Sequence, residues 1–214
     1  MNIRDWSSDV CSSDLVHISD KGSAKRVKFY VDDVPVTVIA ERVQYYDKDG
    51  NLITESLKDY TRKTVKKSYD NLDEFLKTWS DAEKKKAIIK ELEKKGVILE
   101  ALRNEVGKDY SAFDLICHVA FDQPPLTRAE RANQVRKSNY FTQYGDQARQ
   151  VLEALLDKYS NQGNEVIEDT KILNIPPINS FGTPTEIING YFGGKDNYRK
   201  AIQELQNELY KNAS

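Results

Sequence analysis

The nine residues Phe113-Asp-Leu-Ile-Cys-His-Val-Ala-Phe121 constrain the fold more than any other stretch, because as a helix they leave almost no polar face. Leu115, Ile116, Val119, Ala120 and Phe121 point around most of such a helix, and it is stable only where neighbours cover it on most sides. The segment is therefore expected at the centre of a helical assembly. Pro124 and Pro125 then interrupt it, since proline lacks the amide donor and pushes the preceding residue out of helical geometry. A basic, second helix follows from Thr127 and leads into Tyr140, Phe141 and Tyr144.

The flanking chain carries further helix signals. Ser80-Asp-Ala-Glu83 and Thr127-Arg-Ala-Glu130 read as capping boxes, and Thr183-Pro-Thr-Glu186 adds proline at the first helical position. Helix starts are thus expected near Ser80, Thr127 and Thr183. Ala148, Val151, Leu152, Leu155, Leu156 and Tyr159 follow the i, i+3, i+4 rule of a core-facing helix from Asp146 to Tyr159. Tyr198, Ala201, Ile202, Leu205 and Leu209 repeat that pattern near the C-terminus, and Gly190, Gly193 and Gly194 read as the connector before it.

Between Arg26 and Ser56 the preference changes to strand, through Val27, Phe29, Val31, Val36, Val38, Val43, Tyr45, Leu52, Ile53 and Thr54. Asp47-Lys-Asp-Gly-Asn51 supplies a turn whose glycine tolerates the positive φ of a hairpin. A small β-hairpin element of two or three strands is expected, marginal by itself. The fold class is mainly α: a helical, bundle-like domain over 57–214, preceded by this β element over 16–56. Asp5-Trp-Ser-Ser-Asp-Val-Cys-Ser-Ser-Asp-Leu15 has no hydrophobic period and resembles a translated sequencing adapter, so 1–15 is expected to be disordered. It lacks the apolar run that a signal peptide needs.

At 214 residues the chain is long enough for one large domain or two small ones, with a core of ordinary size. Charged residues make up 31% of it, yet the net charge of −2 does not suit a generic polyanion binder, so any nucleic-acid surface must be local. The absence of a run of about 18 apolar residues argues against a membrane span. Outside the adapter-like start Cys117 is the one remaining cysteine, which suits a reducing cytoplasm.

The stretch from Phe113 to Phe141, with Ile39-Ala-Glu-Arg-Val-Gln-Tyr45 and Gly182-Thr-Pro-Thr-Glu-Ile-Ile188 as outlying strings, resembles the C-terminal end of the R subunit of type I restriction enzymes, with matching residues from about Val27 to about Tyr210. The resemblance implies a type I site-specific deoxyribonuclease subunit whose nuclease centre and ATP-fuelled motor precede the matching region. ATP and Mg are accordingly implied for those N-terminal domains, with none in this chain, where no G-x-x-x-x-G-K-[ST] occurs. The partners it implies are the methyltransferase M and S subunits, with duplex DNA as a possible further one. Loss of the preceding domains is expected to expose strand residues such as Val36 and Val38.

Three functional readings arise from the residues. Lys58, Arg62, Lys63, Lys66 and Lys67, set against Asp59 alone and followed by Lys84 to Lys86, form a basic stripe that suits phosphates by Coulomb attraction and counter-ion release. A solvated helix face is the plainer reading. Arg128, Arg131, Arg136 and Lys137 form a second basic stretch beside aromatic residues, suited to an acidic partner surface or to stacked bases. Asp114 and His118 lie four apart with Cys117 beside them, and an autonomous catalytic site there competes with a hydrogen-bonded structural pair and a buried core thiol. The resemblance makes an assembly module that docks the motor subunit onto the M and S core the leading reading; a module guiding DNA to the motor through the two basic stretches comes second, and an enzyme using Asp114, Cys117 and His118 third. No catalytic, cofactor-binding or metal residue is assigned.

Overall fold

A computed structural model describes residues 26–31, 34–39, 42–46, 49–82 and 85–211. The adapter-like start, His17, Lys84 and Glu83 lie outside them. The described chain is mainly α, with the strands gathered at its N-terminal end. Strands β1 (Arg26–Val31), β2 (Val34–Ile39), β3 (Arg42–Tyr46) and β4 (Leu52–Ser56) form one antiparallel meander in sequence order. The expected hairpin of two or three strands is therefore a four-stranded sheet. Gly50 sits at φ 80° between β3 and β4, the left-handed conformation its turn demands.

The sheet has two unlike faces because successive side chains alternate. Val36 and Val43 are buried on the inner face, and the Tyr45 ring meets Tyr60 of the next helix edge-on at 5.7 Å. Val36 is thus covered within the chain and is not the exposed strand residue it was expected to be; the Val38 side chain lies outside the description. The outer face instead presents Tyr30, Pro35, Tyr46 and Leu52, with Tyr30 opposite Pro35 and Tyr46 opposite Leu52.

Helix α1 (Leu57–Ser68) starts directly from β4, its first turn capped by the Ser56 hydroxyl, which accepts from Asp59 N at 3.0 Å. It is followed by α2 (Leu72–Asp81), α3 (Lys85–Lys94), α4 (Leu99–Val106) and α5 (Ala112–Phe121). Helices α6 (Arg128–Lys137) and α7 (Asp146–Gln162) come next, then the short α8 (Asn164–Glu168) and α9 (Pro184–Glu186), and last α10 (Lys195–Tyr210). The helix expected to be buried on most sides is α5, which packs against α1 and α4 and has Phe113, Leu115, Ile116, Cys117, Val119 and Ala120 in the core. The amphipathic patterns of α7 and α10 bury the predicted sets, including Val151, Leu155 and Tyr159 on one and Tyr198, Leu205 and Leu209 on the other.

Thr127 and Thr183 cap as expected, each hydroxyl accepting from the glutamate backbone three residues on while that carboxylate accepts from the threonine N–H. These hydrogen bonds hold Glu130 and Glu186 below the ordinary carboxylate range. After Thr183 the α-helix lasts only Pro184–Glu186 before a π turn over Ile187–Tyr191. Gly193 and Gly194, at φ 71° and 126°, then act as the expected connector.

The helix start expected at Ser80 is corrected: Ser80 lies in the last turn of α2, and α3 begins at Lys85. Glu83, the other half of the expected box, lies outside the described residues, and α3 is capped from a distance. Glu168 of α8 accepts from the backbone N–H of Lys85 at 2.8 Å and of Lys86 at 3.4 Å, serving the free donors of α3. The Lys85 ammonium, 0% exposed, donates to the carbonyls of Trp79, of Ser80 at 3.1 Å and of Ala82 at 3.0 Å, so one side chain closes the C-terminus of α2. Burial lowers its pKa, with Glu168 and Asp81 opposing that shift.

Candidate interaction surface and the buried Asp114 centre

The basic stripe of α1 does occupy one helix, but most of its charge is compensated at home. Lys58 pairs with Glu105 of α4 at 3.0 Å, and Lys63 pairs with Glu55 of β4. Arg62 reaches Asp122 at 2.6 Å and also donates through Nε to the Val119 carbonyl at 2.9 Å, tying α1 to the end of α5. Exposed pairs like these contribute only about 0–1 kcal/mol each to stability, yet they remove cations from any phosphate-binding tally. Lys66 and Lys67 remain exposed in the last turn, whereas Lys86, on α3, lines a different groove between α8 and α10.

The second basic stretch divides in the same way. Arg131, 2% exposed, is turned inward and does not belong to a surface for DNA or a partner. Its Nε lies 3.0 and 2.8 Å from the two Asp114 oxygens, its Nη2 2.6 Å from Oδ1, and its Nη1 donates to the Leu209 carbonyl at 2.8 Å. The guanidinium also sits over the Phe113 and Tyr210 rings, at 5.1 and 5.4 Å. Burial alone would lower its pKa, but the Asp114 hydrogen bonds and charge outweigh that and the pKa is raised. Arg128 is half-buried and donates to the carbonyls of Ser160 and Tyr110, each at 3.3 Å. Arg136 is exposed and pairs with Asp157 of α7, and Lys137 is exposed at the end of α6.

The supposed pair of Asp114 and His118 does not form. Asp114 spends its carboxylate on Arg131, on the Ser111 hydroxyl at 2.6 Å and on the Leu126 N–H at 3.0 Å. His118 instead places Nδ1 3.0 Å from the Gln123 carbonyl. Cys117 is a buried core thiol; burial, then the neighbouring Asp114 charge, push its pKa up, the reverse of what a nucleophile needs. Among the described residues no three His, Cys, Asp or Glu side chains are grouped to hold a metal ion. The Gly182-Thr-Pro string holds its own capping box, whose Glu186 carboxylate fills the helix start.

This chemistry gives a direct expectation for Cys117. In a Cys11→Ser background a thiol reagent at mildly alkaline pH should leave Cys117 unmodified in the folded chain and label it fully in denaturant; rapid labelling of the native protein would overturn the assignment as a core thiol. The sign of the pH effect follows. A raised native pKa means the folded state keeps a proton that the unfolded state releases, so this stabilising contribution is full below the ordinary thiol range and is lost as pH rises above it.

The interlocking of Asp114 with Arg131 was not visible in the sequence because the partners lie 17 apart across the Pro-Pro break. Helical spacing pairs residues three or four apart, so no local rule joins these two. Lys85 was missed for the same reason: its role depends on where α2 stops and α8 docks.

No helix among the described residues is long and apolar enough to cross a membrane. The family model for the EcoEI R protein C-terminal region matches residues 55–210. The chain is 52% identical over 200 residues to the type I restriction enzyme EcoAI endonuclease subunit of Escherichia coli, an alignment that covers 94% of this chain and 25% of that subunit. No solved structure matches it. With a family match that takes in α1 through α10, the chain belongs to the EcoEI R protein C-terminal family, the C-terminal region of type I restriction enzyme R subunits.

Proposed function

We propose that this region is an assembly module that docks the motor and nuclease part of an R subunit onto the methyltransferase core of M and S subunits. The outer sheet face carries this reading. Tyr30, Tyr46 and Leu52 are 72%, 53% and 55% exposed there, with Pro35 beside them. An antiparallel sheet packed on one side ordinarily turns polar residues to water on the other, so a cluster of aromatic and aliphatic side chains on that side suits a protein partner. Tyrosine is also among the residues that concentrate binding energy at interfaces. The internal pairing of Lys58, Arg62, Lys63, Arg131 and Arg136 favours docking over DNA guidance, since a phosphate surface needs uncompensated cations.

The test is binding of the chain to a purified cognate M and S core, with and without duplex DNA, across a salt series. Saturable binding without DNA that survives moderate salt, and falls at least about tenfold when Tyr30 and Tyr46 are both replaced by lysine, is the expected result; tenfold corresponds to about 1.4 kcal/mol. Binding that requires DNA and collapses as salt rises would instead assign the region to DNA guidance through Lys66, Lys67 and Lys137.

A further inference from the structure

A cleft of about 260 Å³ opens where the ends of several helices meet, lined by Trp79, Ile89, Arg103, Ser111, Ala112, Phe113, Arg128, Gln162 and Tyr210. Its chemistry is one-sided. Two arginines, a serine, an amide, an indole and a phenol line it, and no carboxylate does. We propose that this cleft binds a phosphate-type oxyanion, independently of the docking face on the sheet.

The two arginines keep their charge. Arg128 donates to backbone carbonyls of Ser160 and Tyr110, which accept hydrogen bonds without neutralising the guanidinium. Arg103 has Glu100 at 3.8 Å, a carboxylate 79% exposed and therefore heavily screened by water. The Nε of Arg103 is buried without an acceptor, and so is the indole Nε1 of Trp79, a residue 1% exposed. Both N–H groups are closed off from solvent, so it is the charge of Arg103 and Arg128 rather than these two donors that an anion in the cleft meets. The starts of α5 and α6 beside the cleft are served by their own carboxylates, Asp114 and Glu130, so the arginines carry the positive charge.

The apolar wall strengthens these charges. Trp79, Phe113 and Tyr210 contact one another, with ring centroids 4.5 to 5.5 Å apart, and exclude water from that side. Coulomb attraction grows as the local dielectric falls, so the same arginines hold an anion more tightly here than on an open surface. Polar groups on α4, α6 and α7 face the cleft from three directions, which suits a tetrahedral oxyanion with oxygens on several sides better than a planar carboxylate gripped by one guanidinium fork.

The experiment titrates the full chain with inorganic phosphate by isothermal calorimetry at constant ionic strength, with acetate as the control anion. One saturable phosphate site that acetate fills at least about tenfold more weakly is expected. Arg103→Gln should weaken phosphate binding at least about tenfold. Gln162→Glu, which changes an exposed residue at the end of α7, should abolish it by setting a carboxylate against the anion. Both positions are at least partly exposed, so the variants are expected to keep the wild-type circular dichroism spectrum. A short duplex that displaces phosphate would identify the occupant as a DNA backbone phosphodiester, and failure to displace it would identify a free phosphate or a terminal phosphate ester. No saturable phosphate site, equal binding of acetate, or unchanged affinity in both variants would overturn the proposal.

Discussion

Replacing Asp114 with alanine is expected to cost about 3–5 kcal/mol of folding stability, because it strands a buried guanidinium without its counter-charge. The carboxylate receives the Arg131 fork, the Ser111 hydroxyl and the Leu126 N–H, so its removal unpairs groups from the start of α5, the Pro-Pro linker and α6 together. Arg131 also holds the Leu209 carbonyl near the end of α10, and the last helix should loosen with it. Urea denaturation gives the measurement, read as the shift in midpoint at unchanged slope. The double change Asp114→Leu with Arg131→Met should lose less than the sum of the two single changes, since it removes both charges rather than exposing one. A single Asp114→Ala loss below about 1 kcal/mol would put the ion pair in the class of weak, solvent-screened pairs and refute its central role.

Truncating Phe113 to alanine should be comparably damaging, at about 3–5 kcal/mol, through lost burial and the cavity left behind. The ring is 0% exposed and meets Phe75 at 5.7 Å, Trp79 at 5.1 Å and Tyr210 at 4.5 Å, so it joins α5 to α2 and α10 at one point. It also supplies one of the two aromatic faces under Arg131. For a chain of this size each kcal/mol lowers the melting temperature by roughly 2–4 °C, so a drop of roughly 6–20 °C is expected in calorimetry. The Phe121 ring, only partly buried at the other end of the same helix, offers an internal comparison, and Phe121→Ala should cost clearly less. Equal losses at the two positions would show that the aromatic cluster does not converge on Phe113. Because Phe113 and Asp114 share Arg131 as a partner, their combined effect should depart from additivity.

Helix existence was legible wherever the signal is local. The apolar run of α5, the capping box of Thr127 and the spacing from Ala148 to Tyr159 each depend on residues within a few positions, and each reads correctly from the chain alone. Ser80 misled because a capping box is only a competitor for the backbone donors. Glu168, 88 positions away from Ser80 in the sequence, serves the start of α3 instead, and the Lys85 ammonium takes the carbonyl of Ser80 itself. Strand number was underestimated for a related reason: the short runs of β1 and β2 are marginal one by one, and they count as strands only once paired in a sheet whose inner face covers α1.

The family resemblance was equally legible, carried by strings of residues that need no geometry to read. Charge was not. Nine cationic positions read as two basic surfaces, yet an ion pair is formed by whichever carboxylate the fold brings near, and burial decides whether a cation faces water at all. Hence Arg131 became an interior bolt, Arg128 was half-buried against two backbone carbonyls, Lys58, Arg62, Lys63 and Arg136 were paired, and Lys66, Lys67 and Lys137 stayed at the surface. The sequence by itself determined that the chain is mainly helical, the apolar faces of α5, α7 and α10, and which family the chain resembles, because those properties depend on side chains a few residues apart. Only the tertiary structure decided which polar groups meet, and so the Asp114 centre, the Lys85 cap and the donor-lined cleft, because those depend on distances between residues that the chain separates by tens of positions.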